Sequence, residues 1–277
     1  MNAAAPNPLI SRGGAASALM ILAAGASTRL GQPKQLLPFR GRSLLRHAAE
    51  TALASVCRPV VVVLGAFAER LRHELSGLPV LVAVNLQWQE GMSSSIRAGL
   101  KALAPEREVP EPSDLPAAPE LPRASSPSPP HTCGEEARGE EASTRSIQTR
   151  MPDGLWAAGP HAVVIMLCDQ PLISAQFLDR LVAVHQSSGK GIVAAEYGGE
   201  GGVPALFSRA YFPELAALRG SRGAKPVIFK NAKNAERIPL PEAAMDVDRR
   251  EDLQVLGRLA GAFLPDAGEN GNDGGIR

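Results

Sequence analysis

LAAGASTRLGQPKQLLPF, residues 22–39, is the stretch that decides the predicted fold. An aliphatic run at Ala18–Leu22 leads into it and has the pattern of a buried strand. The small residues that follow would let a ligand lie directly on the backbone. Arg29 and Lys34 then place two cations on one short loop, in which Gly31 allows the chain to bend. A strand that runs into such a loop is typical of a polyphosphate cradle.

The complete loop pattern is more specific than a pair of solvated surface cations, which is the alternative interpretation. Its spacing fits neither the P-loop nor the dinucleotide fingerprint. The pattern AAG-x-S-x-R-[LM]-G-x-x-K-x-LLP resembles the signature loop of nucleotidyltransferases that make nucleoside-diphosphate conjugates. Pro33 and the following LLPF are most similar to the molybdenum cofactor cytidylyltransferases of the MobA-like nucleotidyltransferase family, whereas the guanylyltransferase branch usually has Asp in place of Pro33.

This resemblance implies a binding role for the whole loop. The base and triphosphate of an NTP would contact Leu22, Ala23, Ala24, Gly25, Arg29 and Lys34. Within that set, Arg29 and Lys34 would lie on the phosphates.

Composition and charge narrow the function classes. The length of 277 residues allows one large domain or two small ones. A formal net charge of +1 and few aromatic residues argue against nucleic acid or an anionic membrane as a partner. Three cysteines without metal spacing indicate a reducing compartment, and residues 1–17 lack the apolar region of a signal peptide. We therefore expect a cytoplasmic protein with no membrane contact and a disordered N-terminus at residues 1–17.

The chain after the loop alternates between helix and strand patterns. Ser43 can cap a helix, and apolar strands at Pro59–Leu64 and Val80–Val84 flank a helix at Ala66–Leu75. A β-α-β-α-β order calls for a parallel sheet with right-handed crossovers. We predict an α/β fold with a Rossmann-like, mostly parallel sheet and helices on both faces; the resemblance specifies the nucleotidyltransferase type.

Residues 105–160 differ from the rest in composition. They are dense in Pro, Glu, Ser and Ala and nearly lack aliphatic clusters, so burial could not offset the entropy of ordering them. A long flexible loop is tolerable because its closure entropy grows only logarithmically with length. We predict a disordered insertion, where the family normally has a short loop, within a single domain at residues 18–264. A disordered tail would follow at residues 265–277.

An aspartate follows the next apolar strand, which we expect to be central in the sheet. Ala162–Leu167 runs directly into Cys168-Asp169-Gln170-Pro171. An acid at the carboxyl end of a buried strand faces the crevice where α/β sheets hold ligands. Capping of the following helix is the alternative role, but Ser174 is the better-placed cap. The C-D-Q-P sequence resembles the metal-binding strand end of the family, which implies that Asp169 binds Mg²⁺.

Two further segments resemble ligand-binding motifs of the family. An E-G-x-x-x-S segment implies that Gly91 and Ser95 contact the base and ribose, with ordinary N-capping as the alternative. A G-x-P segment implies that the second substrate approaches Gly201, Gly202 and Pro204, although glycine turns are usually just hairpins.

Two C-terminal segments resemble the family less completely. GSRGAK at residues 220–225 has Ser221 and Lys225 where the family has Asp and Arg, so its anion-binding role is weakened. D-V-D at residues 246–248 resembles the family's second acidic motif. It implies Asp248 as the second metal ligand, ahead of Asp246, with an N-cap as the alternative role for Asp248.

The chemistry that these residues favour is phosphoryl transfer by positioning and charge neutralisation, because no Ser-His-Asp or Cys-His arrangement accompanies them. The resemblance implies transfer of a cytidylyl group from CTP to the phosphate of the molybdenum cofactor, with Mg²⁺ as cofactor and Arg29, Lys34 and Asp169 as catalytic residues. The receiving partner would be a molybdoenzyme of the xanthine dehydrogenase type. Alternatives are a guanylyltransferase or sugar-1-phosphate nucleotidyltransferase of the same fold, and a non-catalytic chaperone for the molybdenum cofactor.

Overall fold

The computed structural model describes residues 16–104 and 159–260. Three segments were predicted to be disordered, namely residues 1–17, 105–160 and 265–277. They lie outside the described residues, apart from residues 16–17 and 159–160. Within the described parts of the chain, no helix is long and apolar enough to cross a membrane.

Strands and helices alternate as the sequence predicts. The strands are β1 Ser17–Ala23, β2 Pro38–Phe39, β3 Arg42–Ser43, β4 Val60–Leu64, β5 Leu81–Val84, β6 Ala162–Leu167, β7 Ile192–Tyr197, β8 Glu200–Ser208 and β9 Ala235–Pro239. The helices are α1 Leu44–Ala54, α2 Ala68–Arg72, α3 Met92–Leu103, α4 Ala175–Ser188, α5 Phe212–Ala217, α6 Lys225–Lys230 and α7 Arg250–Ala260. Ser43 and Ser174 cap α1 and α4 through their side chains, as predicted.

Seven strands form one sheet in the order β5-β4-β1-β6-β8-β7-β9. β1 pairs in parallel with β4 and with β6, and β6 is the central strand. The chain first extends outward from β1 to β5 and then returns to the other side of β1. The carboxyl ends of β1 and β6 therefore flank a topological switch point, which is where α/β sheets bind ligands. The prediction of a mostly parallel α/β sheet is confirmed.

Helices cover both faces of the sheet. One apolar cluster joins α1, α2 and α4 to alternate strand residues such as Leu19, Val62 and Val164. A second cluster joins α3, α5 and α6 to the intervening residues, such as Met20 and Val163. Because both faces of β1, β4 and β6 are buried, these strands read as continuous apolar runs rather than as alternating ones.

Strand β8 is longer than the sequence pattern of residues 197–207 indicates. Its glycines are typical of a turn into a short strand, but β8 is a nine-residue strand antiparallel to both β6 and β7. Gly201 and Gly202 lie inside this strand, and Gly198 and Gly199 form the turn. The bulk of neighbouring side chains explains why glycine occupies these strand positions. A Cβ on Gly202, for example, would lie 2.3 Å from the hydroxyl oxygen of Tyr197.

Smaller differences concern the helices. Residues 208–218 do not form one continuous helix but a 3-10 turn at Arg209–Tyr211 followed by α5. Helix α6 was not predicted. Its sequence, KPVIFK, begins with a proline next to the helix start, a position where proline is tolerated.

Candidate active site

A buried glutamine holds the loop after β1 in shape. The Nε2 of Gln35 donates hydrogen bonds to the carbonyls of Ala23 (3.0 Å) and Gly25 (2.7 Å). The Oγ of Ser27 accepts a hydrogen bond from the backbone N–H of Lys34 at 3.0 Å. Gln35 is 1% exposed. Gln35 was not among the predicted site residues, although a polar side chain directly before the apolar LLPF run was a signal for it.

The predicted nucleotide-binding residues of the loop differ in exposure. Leu22, Ala23 and Ala24 are buried, so they present little surface to a ligand. Gly25 is exposed, and a Cβ at that position would meet nothing within 4 Å. Gly65 at the end of β4 packs tightly beneath the loop, since its Cβ would lie 2.7 Å from the Ala24 carbonyl oxygen.

The segment that carries the second acidic motif is anchored beside Asp169. The backbone N–H of Val247 donates to the carbonyl of Asp169 at 3.1 Å. The Val247 side chain is fully buried and completes a small apolar cluster with loop residues and α1, namely Leu30, Leu37, Phe39 and Leu44. Because Val247 points inward, the residues on either side of it point away, and Asp248 faces the loop while Asp246 is exposed.

Lys34 joins the two acids into one group, which we call the ion-pair cluster (Lys34, Asp169 and Asp248). The Lys34 ammonium donates to Asp169 Oδ2 and, at 2.5 Å, to Asp248 Oδ1. The side chains are 17%, 8% and 42% exposed, respectively. The Arg29 guanidinium lies 4.0 Å from the other oxygen of Asp248 and is 75% exposed. The structure thus brings together four of the predicted site residues, and it places Lys34 on the carboxylates.

Charge pairing outweighs burial for the lysine. Burial alone would lower the pKa of Lys34, but the charge of Asp169 and the hydrogen bonds to both acids raise that pKa above its ordinary value. Burial raises the pKa of Asp169, and the adjacent ammonium opposes this change. Burial also raises the pKa of the neighbouring Cys168 thiol, which disfavours its reactive thiolate form.

The chemistry of the cluster fits a divalent cation. Asp169 Oδ1 is buried and has no hydrogen-bond partner among the described residues. Asp248 is partly open, and both residues offer the hard carboxylate oxygens that Mg²⁺ prefers. Residues 16–104 and 159–260 contain no group of three or more His, Cys, Asp or Glu side chains suited to a metal. A pair of carboxylates nevertheless fits such an ion, because Mg²⁺ is commonly held by one or two carboxylates together with substrate phosphates.

The start of α3 contains a second polar group, the serine network (Asn85, Ser94 and Ser95). Asn85 Nδ2 donates to the hydroxyls of Ser94 (2.8 Å) and Ser95 (3.1 Å), and all three residues are buried. Gly91 has a φ of 102°, and a Cβ there would lie 2.8 Å from the Gly220 carbonyl oxygen. The glycine is therefore required by the backbone, and the predicted ligand role of Gly91 and Ser95 stays a prediction.

The predicted second-substrate segment lies in β8 next to the acidic strand end. Gly201, Gly202 and Pro204 are buried. The pairing of β7 with β8 shifts by two residues here, from Ala194↔Ala205 to Ala195↔Gly202. In this bulge the carbonyl of Val203 accepts hydrogen bonds from Tyr197 (3.1 Å) and from Gln170 (3.3 Å). The segment thereby contacts the residue next to Asp169, and its binding role stays a prediction.

The fold is that of the α/β nucleotidyltransferase class. The family model described as the MobA-like NTP transferase domain matches residues 19–235, and the chain belongs to this family.

Two characterised proteins are similar in sequence. Nicotine blue oxidoreductase of Paenarthrobacter nicotinovorans is 49% identical over 81 residues, which are 29% of this chain and 40% of that relative. The match thus spans less than half the length of the relative. Purine catabolism protein PucB of Bacillus subtilis is 28% identical over 209 residues, which cover 76% of this chain and 78% of PucB.

Solved structures have the same fold. A homologue of Mycobacterium tuberculosis Rv0371c from Mycobacterium sp. strain JC1 has a TM-score of 0.59 at 26% identity, covering 88% of this chain and 96% of that one. Rv0371c itself, from M. tuberculosis H37Rv in complex with manganese, has a TM-score of 0.56 at 22% identity, covering 90% and 100%. Molybdopterin-guanine dinucleotide biosynthesis protein A from Archaeoglobus fulgidus has a TM-score of 0.52 at 12% identity, covering 88% and 98%.

Proposed function

We propose that the protein transfers a cytidylyl group from CTP to the phosphate of molybdopterin in the molybdenum cofactor, releasing pyrophosphate. The observation that carries this proposal is the convergence of Lys34, Asp169 and Asp248 beside the loop after β1. The choice of CTP rests on the sequence Gly31-Gln32-Pro33-Lys34 and on the C-D-Q-P strand end, both of which resemble the cytidylyl branch. The A. fulgidus neighbour shares the fold, and its name supports a pterin-linked substrate.

The proposed reaction needs no protein base. The substrate phosphate is already ionised at neutral pH, so one of its oxygens can attack the α-phosphorus of CTP directly. A bond forms between that oxygen and the α-phosphorus, while the bond from the α-phosphorus to the bridging oxygen breaks and pyrophosphate leaves. Arg29, which is 75% exposed on the loop, is available to neutralise the leaving group. Lys34 would bind the same phosphates once it leaves the carboxylates.

Asp169 and Asp248 are the residues that would hold Mg²⁺. The bound ion would neutralise negative charge on the two phosphate-bearing substrates, which otherwise repel each other. The manganese complex of the M. tuberculosis neighbour supports the use of a divalent cation in this fold. A molybdoenzyme of the xanthine dehydrogenase type is the proposed recipient of the product.

The test is pyrophosphate release with CTP, GTP and ATP, each with and without molybdenum cofactor. We expect release that depends on both CTP and the cofactor, because a pocket that hydrogen-bonds one base leaves buried polar groups unpaired with another. Equal or faster turnover with GTP would favour the guanylyltransferase alternative. A parallel arm with sugar 1-phosphates tests the second enzyme alternative, and retention of the cofactor without release of pyrophosphate would indicate a chaperone.

A further inference from the structure

Lys34 occupies one oxygen of each of the two acids that would hold a metal. Its ammonium donates to one oxygen of each acid, and the Lys34 and Asp169 side chains are 17% and 8% exposed. A divalent cation bound by both carboxylates would lie within a few ångströms of this ammonium. Two positive charges at such a distance in a poorly hydrated site repel strongly. Lysine and metal therefore compete for the same two acids.

The backbone of Lys34 is held in place by hydrogen bonds, whereas its long side chain contains several rotatable bonds. The backbone N–H donates to Ser27 Oγ at 3.0 Å, and the next residue, Gln35, is tied to the carbonyls of Ala23 and Gly25. The flexible four-carbon stem of lysine can place its ammonium at different points from one fixed Cα. The other side of the loop, including Gly25 and Arg29, is exposed. An anion bound there could draw the ammonium away from the acids without moving the backbone.

We propose that Lys34 is the resident counter-ion of Asp169 and Asp248 and excludes a divalent cation until a nucleotide triphosphate takes up its charge. The inference rests on the proposed function, since it takes the two acids as the metal ligands. Binding of the triphosphate moves Lys34 to the phosphates and frees both carboxylates for the metal. By thermodynamic linkage, a bound metal strengthens nucleotide binding by the same factor. The ion-pair cluster thus couples the two ligands before any chemistry occurs.

The experiment measures Mn²⁺ binding to the full chain without nucleotide, from the electron paramagnetic resonance signal of free Mn²⁺. Lys34→Met keeps the length of the side chain and removes its charge. We expect this variant to bind Mn²⁺ about tenfold more tightly, or better, because the repelling charge is gone. Lys34→Arg keeps the charge and should bind as weakly as the wild type. Lys101→Met removes an exposed charge at the far end of α3 and should change nothing.

A double variant shows whether the gain arises at the carboxylates. Lys34→Met combined with Asp169→Asn should lose the tight binding, while circular dichroism confirms that the protein is folded. The inference is overturned if Lys34→Met binds Mn²⁺ no more tightly than the wild type, or if its gain persists in the double variant. If either result is obtained and the wild type still releases pyrophosphate normally, the transferase proposal remains intact. Tighter Mn²⁺ binding without release from any NTP would instead support the counter-ion role and refute the proposed reaction.

Discussion

The ion-pair cluster and the serine network lie at the same edge of the sheet, yet their polar groups are used differently. In the serine network the Asn85 amide and the Ser94 and Ser95 hydroxyls bind one another, and all are buried. In the ion-pair cluster one oxygen of Asp169 has no hydrogen-bond partner among the described residues, and Asp248 is 42% exposed. A fully satisfied buried network makes the fold rigid, whereas the unpaired oxygen of Asp169 keeps its capacity to accept a further contact.

The largest difference between the two groups is expected in the turnover of variants at Asp169. Asp169→Asn should reduce Mg²⁺-dependent pyrophosphate release about a thousandfold, because an amide of the same size lacks the anionic oxygen that the metal and the charge balance need. Asp248→Asn should lower turnover to a similar or lesser degree. The measurement is the steady-state rate of pyrophosphate release at saturating CTP.

A matched control for this variant is Asp246→Asn, which removes an exposed acid next to the fully buried Val247 and should leave turnover near normal. Thermal unfolding should show that Asp169→Asn remains folded. Near-normal turnover of folded Asp169→Asn would remove the metal assignment.

A smaller effect on activity is expected at Lys34. Lys34→Ala should lower kcat/KM for CTP by tenfold to a hundredfold, since a charge-assisted contact contributes roughly 1.5–3 kcal/mol. The comparison is made with Lys101→Ala, whose side chain is exposed on α3. Kinetics equal to the wild type would mean that Lys34 does not contact the phosphates during turnover.

A substitution in the serine network should lower the stability of the protein and leave its turnover unchanged. Asn85→Ala leaves buried hydroxyls without their donor, which should lower the free energy of unfolding by about 1–3 kcal/mol while kcat stays unchanged. Urea unfolding measures the first quantity and pyrophosphate release the second. Gln87→Ala, at an exposed position two residues along, is the control. A large fall in kcat for Asn85→Ala would show that the network takes part in binding or catalysis.

The least effect is expected from the predicted insertion. Replacing residues 105–159 with a short Gly/Ser linker should leave stability and transfer nearly unchanged, because their composition offers few apolar side chains to a core. The topology supports this expectation, since α3 ends and β6 begins at the amino edge of the sheet, opposite the site. A soluble but inactive deletion variant would contradict it.

Local patterns predicted most of the fold because the strands that matter are buried on both faces. The apolar runs at Val60–Leu64 and Ala162–Leu167 predicted two strands, and Ser43 and Ser174 predicted two helix starts. β8 was misjudged because glycines within a strand read locally as a turn. Their cause is the packing of Tyr197 and other side chains, which only the folded chain shows.

The sequence predicted which residues form the site, but it did not predict which of them contact one another. Loop and strand-end motifs indicated Lys34, Asp169 and Asp248 separately, and the parallel sheet indicated which edge they share. That Lys34 lies on the two acids depends on pairs separated by 135 and 214 positions, which no local pattern reports. The role of Gln35 was missed for the same reason, because its hydrogen-bond acceptors are backbone carbonyls of the folded loop.

The anchoring of Val247 has a consequence for how the protein is made. Lys34 and Asp248 are 214 positions apart, so at ~5–20 residues per second the ribosome adds the acid roughly 10 to 40 s after the lysine. During that interval the apolar cluster of Leu30 and Phe39 lacks the side chain that closes it. A growing chain that already contains the whole loop therefore still lacks one of its two acids. The ion-pair cluster can therefore form only after synthesis has passed Asp248, however early the loop itself is complete.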